Sequence, residues 1–175
     1  RLWMKHYDLD SDLMDQLQNQ IPGYSMRMQE VTAAMLTPQI DRLAAIKKIH
    51  VDNWALLHSL IHDHPNIEIP LPLPQVDSFC DTMQFHLVGM SRDDADRFID
   101  LMKEEGIPMQ IFGARRNARD YRQWEYIKAH QDELKATVAN IEFACDLSMQ
   151  PHLNLDNIRV MGRVIHDVLA YIHGQ

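Results

Sequence analysis

Residues 83–111 read MQFHLVGMSRDDADRFIDLMKEEGIPMQI, and the period of the apolar residues changes twice within them. Met83, Phe85 and Leu87 alternate with Gln84, His86 and Val88, which predicts a half-buried strand that Gly89 ends. Ser91 follows, with Asp94 three places on. A side-chain oxygen at that position satisfies free amides of a first helical turn, and an acid there favours the helix dipole. Ala95, Phe98, Ile99 and Met102 then fall on one helical face, and Gly106 stops the helix as a C-terminal cap. Ile107, Met109 and Ile111 alternate again and predict a second strand. A strand–helix–strand unit of this kind places the chain in the mixed α/β class, as an α+β domain with a small sheet flanked by helices.

Upstream, Pro65, Pro70, Pro72 and Pro74 exclude helix and predict an extended connector. Before it, a helical pattern runs from Met26 to about Ile61. Met28, Val31 and Met35 start a stripe that Ile40, Leu43, Ile46, Trp54, Leu57 and Ile61 continue. Pro38 lies inside it and predicts a break or kink. The run is preceded by a polar, acidic stretch ending in the turn signal Ile21-Pro22-Gly23-Tyr24. Downstream, residues 118–139 look helical in two pieces, and Asn154 can cap a last helix carrying Ile158, Met161, Ile165, Val168 and Ile172. The eleven methionines mostly fall on apolar helix faces, where core packing is their default role.

The 175 residues suffice for one domain with a hydrophobic core, at 46% apolar and 24% charged composition. A net charge of −8 argues against nonspecific nucleic-acid binding and against docking on anionic membranes. No apolar run reaches the roughly 20 residues that cross a bilayer. Cys80 and Cys145 have the spacing of neither a metal site nor a disulfide framework, so a reducing, cytoplasmic setting is expected. The chain opens at Arg1 rather than at a methionine, which reads as a fragment or a processed chain.

Two sets of residues invite a ligand. Arg27 stands where a turn becomes a helix, so a guanidinium, free amides and the positive helix end can together favour a phosphate. Arg115, Arg116, Arg119 and Arg122 form a basic cluster interleaved with Tyr121 and Trp124. It could hold a phosphate or a sugar carboxylate, Arg115 and Arg116 being the candidate substrate contacts, or it could cover a surface and pair with acids. His58, His62 and His64 have part of a zinc spacing without a completing ligand, and a helix surface is the simpler reading.

Gly23-Tyr24-Ser25-Met26-Arg27-Met28-Gln29-Glu30, followed by Ala33, Ala34, Gln39, Ile40 and Leu43, resembles a segment of the DegT/DnrJ/EryC1/StrS aminotransferases. The unit from Phe85 to Ile111, with its Ser-Arg-Asp start and Glu-Gly-Ile-Pro end, resembles the small domain of the same family, as does Cys145-Asp146-Leu147. The similarity spans about residues 20–172. It implies the C-terminal part of an aspartate-aminotransferase-like fold, with residues 1–42 the tail of a large cofactor domain and its connecting helix, and 43–175 the small domain. It implies pyridoxal 5'-phosphate as cofactor, transfer of an amino group from glutamate or glutamine to a keto sugar, and a homodimer with shared active sites. Arg27 is then implied to lie near the cofactor phosphate of the neighbouring subunit. Ser25 stands where the family has asparagine, and its hydroxyl can still donate. Met26 replaces an aromatic residue. Tyr121-Arg122-Gln123-Trp124 resembles the branch that acts on eight-carbon acidic sugars.

The cofactor chemistry needs a lysine, which the family carries upstream of the Arg-Met motif. Lys5 alone precedes that motif here, and His6-Tyr7-Asp8 follows it instead of glycines. No catalytic residue is therefore assigned. A non-catalytic ligand-binding or assembly module reusing the small-domain fold, or a helix-rich regulatory partner, is the alternative.

Overall fold

The computed structural model describes residues 28–70, 72–114, 117, 119–124, 126–127 and 134–174. Helix α1 spans Glu30–Ile40 and α2 spans Leu43–Ile61. Strands β1 (Ile67–Glu68) and β2 (Thr82–Leu87) follow, then α3 (Arg92–Glu104) and β3 (Met109–Ile111). A 3-10 turn at Tyr121–Gln123 leads towards α4 (Lys135–Glu142), β4 (Ala144–Ser148) and α5 (Leu155–Ile172).

The four strands make one antiparallel sheet in the order β1-β2-β4-β3. Phe85 pairs with Cys145, and Cys145 with Ile111, so these inward-facing side chains stand in one row across the sheet. They join Met83, Leu87 and Leu147 in a core closed by Leu57 and Ile61 of α2, Phe98 and Met102 of α3, and Ile158, Ile165 and Leu169 of α5. Each such side chain contributes about 1.5–3 kcal/mol by leaving water. The other face carries the row Gln84–Asp146–Gln110. There α4 touches the sheet through the His86 ring, 3.0 Å from the Asn140 carbonyl.

The ends of the helices follow their sequences. The Ser91 hydroxyl accepts from the Asp94 amide, as its spacing predicts. At the other end of α3, Ile107 N donates to Met102 O and Gly106 N to Lys103 O, the paired bonds of a left-handed C-terminal cap, with Gly106 at φ +78°. Asn154 caps α5 by accepting from the Asp156 and Asn157 amides, and Asn157 returns a bond to the Asn154 amide. Helices α2 and α5 approach closely at Gly162, where an added Cβ would lie 2.8 Å from Leu60 Cδ1.

Four features depart from the sequence reading. Pro38 leaves the Ala34 carbonyl without its helical donor, yet α1 continues to Ile40, and the break comes at Asp41 and Arg42. The stripe of α1 is not core: Met28, Val31, Met35 and Ile40 are 63–70% exposed, and burial in the long helical run begins only at His50. Over residues 118–139 the described part holds the 3-10 turn and the start of α4, and the rest of the expected helical stretch lies outside the described residues. Finally, the edge strand β1 lies inside the proline-rich connector, and β4 is a strand whose Cys145, Asp146 and Leu147 are buried without alternation, because Arg119 and Gln110 cover Asp146 on the face opposite the core.

Candidate functional site

The segment leaving β3 is tied down at nearly every step. Phe112 N donates to Ala144 O at 2.9 Å, and Gly113 N to Ile141 O at 2.8 Å. Asn117 sends its side-chain amide to Ile111 O at 2.8 Å and accepts from the Arg119 amide. Asp120 N donates back to Asn117 O. These bonds hold the described residues Phe112, Gly113, Asn117 and Asp120 to the end of β3 and to α4.

Two arginines of the sequence cluster are described, and both are matched by acids. Arg122 grips the Asp120 carboxylate with Nε, 3.0 Å from each oxygen, and with Nη2 at 2.7 Å. The Asp120 side chain is 3% exposed. Burial by itself raises its pKa, but the hydrogen bonds and charge of Arg122 outweigh this and hold it below the ordinary carboxylate value. The hydrogen bonds that Arg122 donates to Asp120 in turn raise the Arg122 pKa. Arg119 Nη1 lies 2.5 Å from Asp146 Oδ2, its guanidinium over the Phe112 ring at 5.5 Å. Gln110 Nε2 reaches the same Asp146 oxygen at 3.3 Å, while Oδ1 is buried without a hydrogen-bond partner among the described residues.

A polar cleft of about 430 Å³ opens beside this clamp, lined by Arg92, Gly113, Asp120, Arg122, Gln123 and Glu142. Arg92 is also engaged: Nε and Nη2 hold Asp96 at 3.1 and 2.8 Å, and Nη1 donates to Glu142 O at 2.9 Å. The described cations of this cleft thus face carboxylates already in place. They brace the loop and do not form an open anion seat. Arg115 and Arg116, the expected substrate contacts, and Arg27 and Ser25, the expected cofactor contacts, lie outside the described residues.

Sequence reasoning took the cluster for either a binding patch or an acid-paired surface, and the second describes Arg119 and Arg122. It missed the acids. Asp120 could have been found two residues before Arg122, whereas Asp146 is distant in sequence and gives no local signal.

The remaining chemistry-bearing groups are structural. Burial pushes the Cys145 thiol well above its usual range, so it is no nucleophile. His58 stacks between Trp54 and His62, at 5.0 and 5.1 Å between ring centroids. No grouping of side chains suited to a metal ion occurs among the described residues. Lys47 pairs with Asp77 and Lys48 with Asp52, both at 2.5 Å, and Lys103 and Lys135 are exposed. The described lysines therefore do not suit a cofactor-carrying role. No described helix is long and apolar enough to cross a membrane.

Residues 3–166 match the profile of the DegT/DnrJ/EryC1/StrS aminotransferase family. No curated protein matches the sequence. Among solved structures, a Streptococcus pneumoniae protein described as a sugar aminotransferase, Spr1654, in its PMP form, aligns with TM-score 0.70 at 15% identity over 87% of this chain. Helicobacter pylori PseC, an aminotransferase involved in the biosynthesis of pseudoaminic acid, aligns with TM-score 0.71 at 13% identity over 93%. The synthase of 3-amino-5-hydroxybenzoic acid aligns with TM-score 0.68 at 20% identity over 87%. The aligned regions make up 38%, 47% and 41% of those three chains, so this chain spans less than half the length of each.

Proposed function

The chain belongs to the DegT/DnrJ/EryC1/StrS aminotransferase family, and on that premise we propose that it forms the C-terminal portion of a pyridoxal-phosphate enzyme moving an amino group from glutamate to a keto sugar. The observation that carries the proposal is the family match over residues 3–166. Pyridoxal phosphate, when bound, supplies the electron sink for amino transfer. The described residues do not fit as its cradle, since their lysines are surface groups and the arginines of the cleft are saturated. The proposed contacts are therefore Arg27 and Ser25 for the cofactor phosphate and Arg115 and Arg116 for the sugar, with the Asp120–Arg122 clamp holding the loop that carries the latter pair.

The proposed division places residues 1–42 with a large cofactor domain and 43–175 in the small domain. Support comes from α1, which has no buried residue and, with Met28 just before it, exposes Val31, Met35 and Ile40. Exposed apolar side chains on a helix that buries nothing support a surface that is covered in the intact protein. In the intact protein it packs on the cofactor domain or on a second copy in a homodimer. Two free cysteines suit a cytoplasmic setting.

The test is spectroscopic. Full-length protein with pyridoxal phosphate should show the visible absorbance of a lysine-bound cofactor, which glutamate discharges and a keto sugar restores. A lysine followed by glycines should be encoded upstream of Arg1. No cofactor band, with no such lysine upstream, would leave the non-catalytic module as the reading.

A further inference from the structure

Three histidines meet where the end of α2 comes against α5. His64 lies in the turn after α2, and its ring meets the His166 ring edge-on, with centroids 5.0 Å apart at 64°. His173, at the C-terminal end of α5, acts on His64 electrostatically together with His166. The hydrogen bonds assign the protons. The Asn66 backbone N–H points at His64 Nδ1 at 3.1 Å, so Nδ1 is an acceptor and carries no proton. His166 Nε2 lies 2.8 Å from the Leu60 carbonyl, so that nitrogen donates.

Asn66 is the residue through which this turn holds the sheet edge. Its side-chain amide donates to Val88 O at 2.9 Å, and its carbonyl accepts from Val88 N at 2.9 Å. Ile67 N returns to His64 O at 3.0 Å. Beyond it, β1 consists of two residues only, Ile67 opposite Leu87 and Glu68 opposite His86. With so short a ladder, the strand's attachment rests heavily on the turn before it.

We propose that His64 is a proton-sensitive clasp, holding β1 against β2 while its ring is neutral and releasing it on acidification. Adding a proton at Nδ1 turns the acceptor into a donor facing the Asn66 N–H, and places a positive ring beside His166 and His173. Asp63, the neighbouring acid, faces His62 Nε2 at 3.1 Å. Of the other charged groups on the packed elements, Glu68 on β1 and Arg163 and Asp167 on α5 are exposed, and none of them contributes to the shift of His64. Burial, then His166 and His173, lower its pKa from the ordinary histidine value. A folded-state pKa below the unfolded one means that the unfolded chain binds the proton more readily. The clasp is therefore intact above about pH 6.5 and weakens as pH falls from there towards the folded value. Release leaves β2 as the edge strand, an unpaired template for another chain. None of this depends on the proposed aminotransferase role.

The experiment is hydrogen exchange followed by mass spectrometry on the full-length protein, at pH values on either side of about 6.5, with rates corrected for intrinsic pH dependence. One proton can change an opening equilibrium by up to about tenfold per pH unit, and peptides over 64–69 and 86–90 should open at least about threefold more at the acid value. Reference peptides over 144–148 and 158–169 should stay unchanged. His64→Asn keeps an acceptor oxygen near the Nδ1 position without a titrating ring, and should flatten the response. His166→Gln keeps a donor towards Leu60 and removes one charge, and should reduce it. Equal protection at both pH values in the wild type overturns the clasp, and so does a His64→Asn protein that keeps the full acid response. Should that variant not fold, a full wild-type response in His166→Gln overturns it as well.

Discussion

A methyl group added at Gly113 would meet backbone, not side chain. Its ideal position lies 2.8 Å from Ile141 O and 3.0 Å from both Ile141 C and Glu142 Cα. Flexible side chains can move away from such a contact, but the carbonyl of Ile141 is the acceptor for Gly113 N itself, at 2.8 Å. Relieving the clash therefore means moving the β3 exit away from the end of α4 and lengthening that hydrogen bond. Overpacking costs about 1–3 kcal/mol, and a weakened amide bond adds about 1 kcal/mol. Gly113→Ala should therefore destabilise this junction by about 2–4 kcal/mol, a 30-fold or greater rise in local opening. The displacement reaches the clamp, because Arg122 Nη2 also contacts Gly113 O at 3.4 Å. Hydrogen exchange of peptides over 111–124 and 141–146 reads the effect directly. Gly106→Ala is the control: nothing lies within 4 Å of its added Cβ, and only its φ of +78° opposes the change, at about 1–2 kcal/mol. If Gly113→Ala matches the wild type within about 0.5 kcal/mol, the close approach is not a constraint and the reasoning fails.

Asn154→Ala removes the side-chain oxygen that accepts from the Asp156 and Asn157 amides, leaves the return bond from the Asn154 backbone N–H to Asn157 Oδ1, and should cost about 1–2 kcal/mol in chemical denaturation, whereas a change under about 0.3 kcal/mol would show water replacing the cap at no cost. The Asp120 pKa is lowered in the fold, so its clamp contributes stability above the unfolded carboxylate value of about 3.9 and loses it as pH falls through the folded value. Asp120→Asn should remove that acid limb from the pH dependence of exchange over 112–124, and an unaltered profile would exclude the clamp as its source. Arg27→Ala in the full-length protein should weaken cofactor retention on dialysis by about tenfold or more, the scale of one lost charge-assisted contact to a phosphate, and unchanged retention removes Arg27 from the site.

The elements legible in the sequence were those whose signal is local. The α3 unit announced itself through Ser91, Asp94 and Gly106, and the structure uses all three at the termini where their chemistry is needed. Asn154 did the same for α5. What was illegible depended on distant partners. Strand β4 has a run of buried residues because Arg119 and Gln110 close over Asp146 on the face away from the core, and covering both faces erases the alternation that identifies a one-sided strand. Asp146 becomes an anchor for Arg119 only when residues 27 positions apart are brought together.

The stripe of α1 teaches the converse. The helix forms as its apolar spacing predicts, yet such spacing says nothing of what covers the apolar side chains. Within the described residues α1 meets no core, while α2, with a similar pattern, buries Leu57 and Ile61 completely. The exposed Met28, Val31, Met35 and Ile40 side chains would cost about 25 cal/mol per Å² of apolar surface left in water. A sequence keeps such a face where a partner surface covers it. Two of the proposed functional residues, Ser25 and Arg27, immediately precede these side chains in sequence. Polar substitutions at Val31 and Met35 should therefore disturb assembly and cofactor retention together, whereas changes at the α2–α5 contact should disturb folding alone. A variant of Val31 or Met35 that lost neither assembly nor cofactor would separate the apolar face from the site it adjoins.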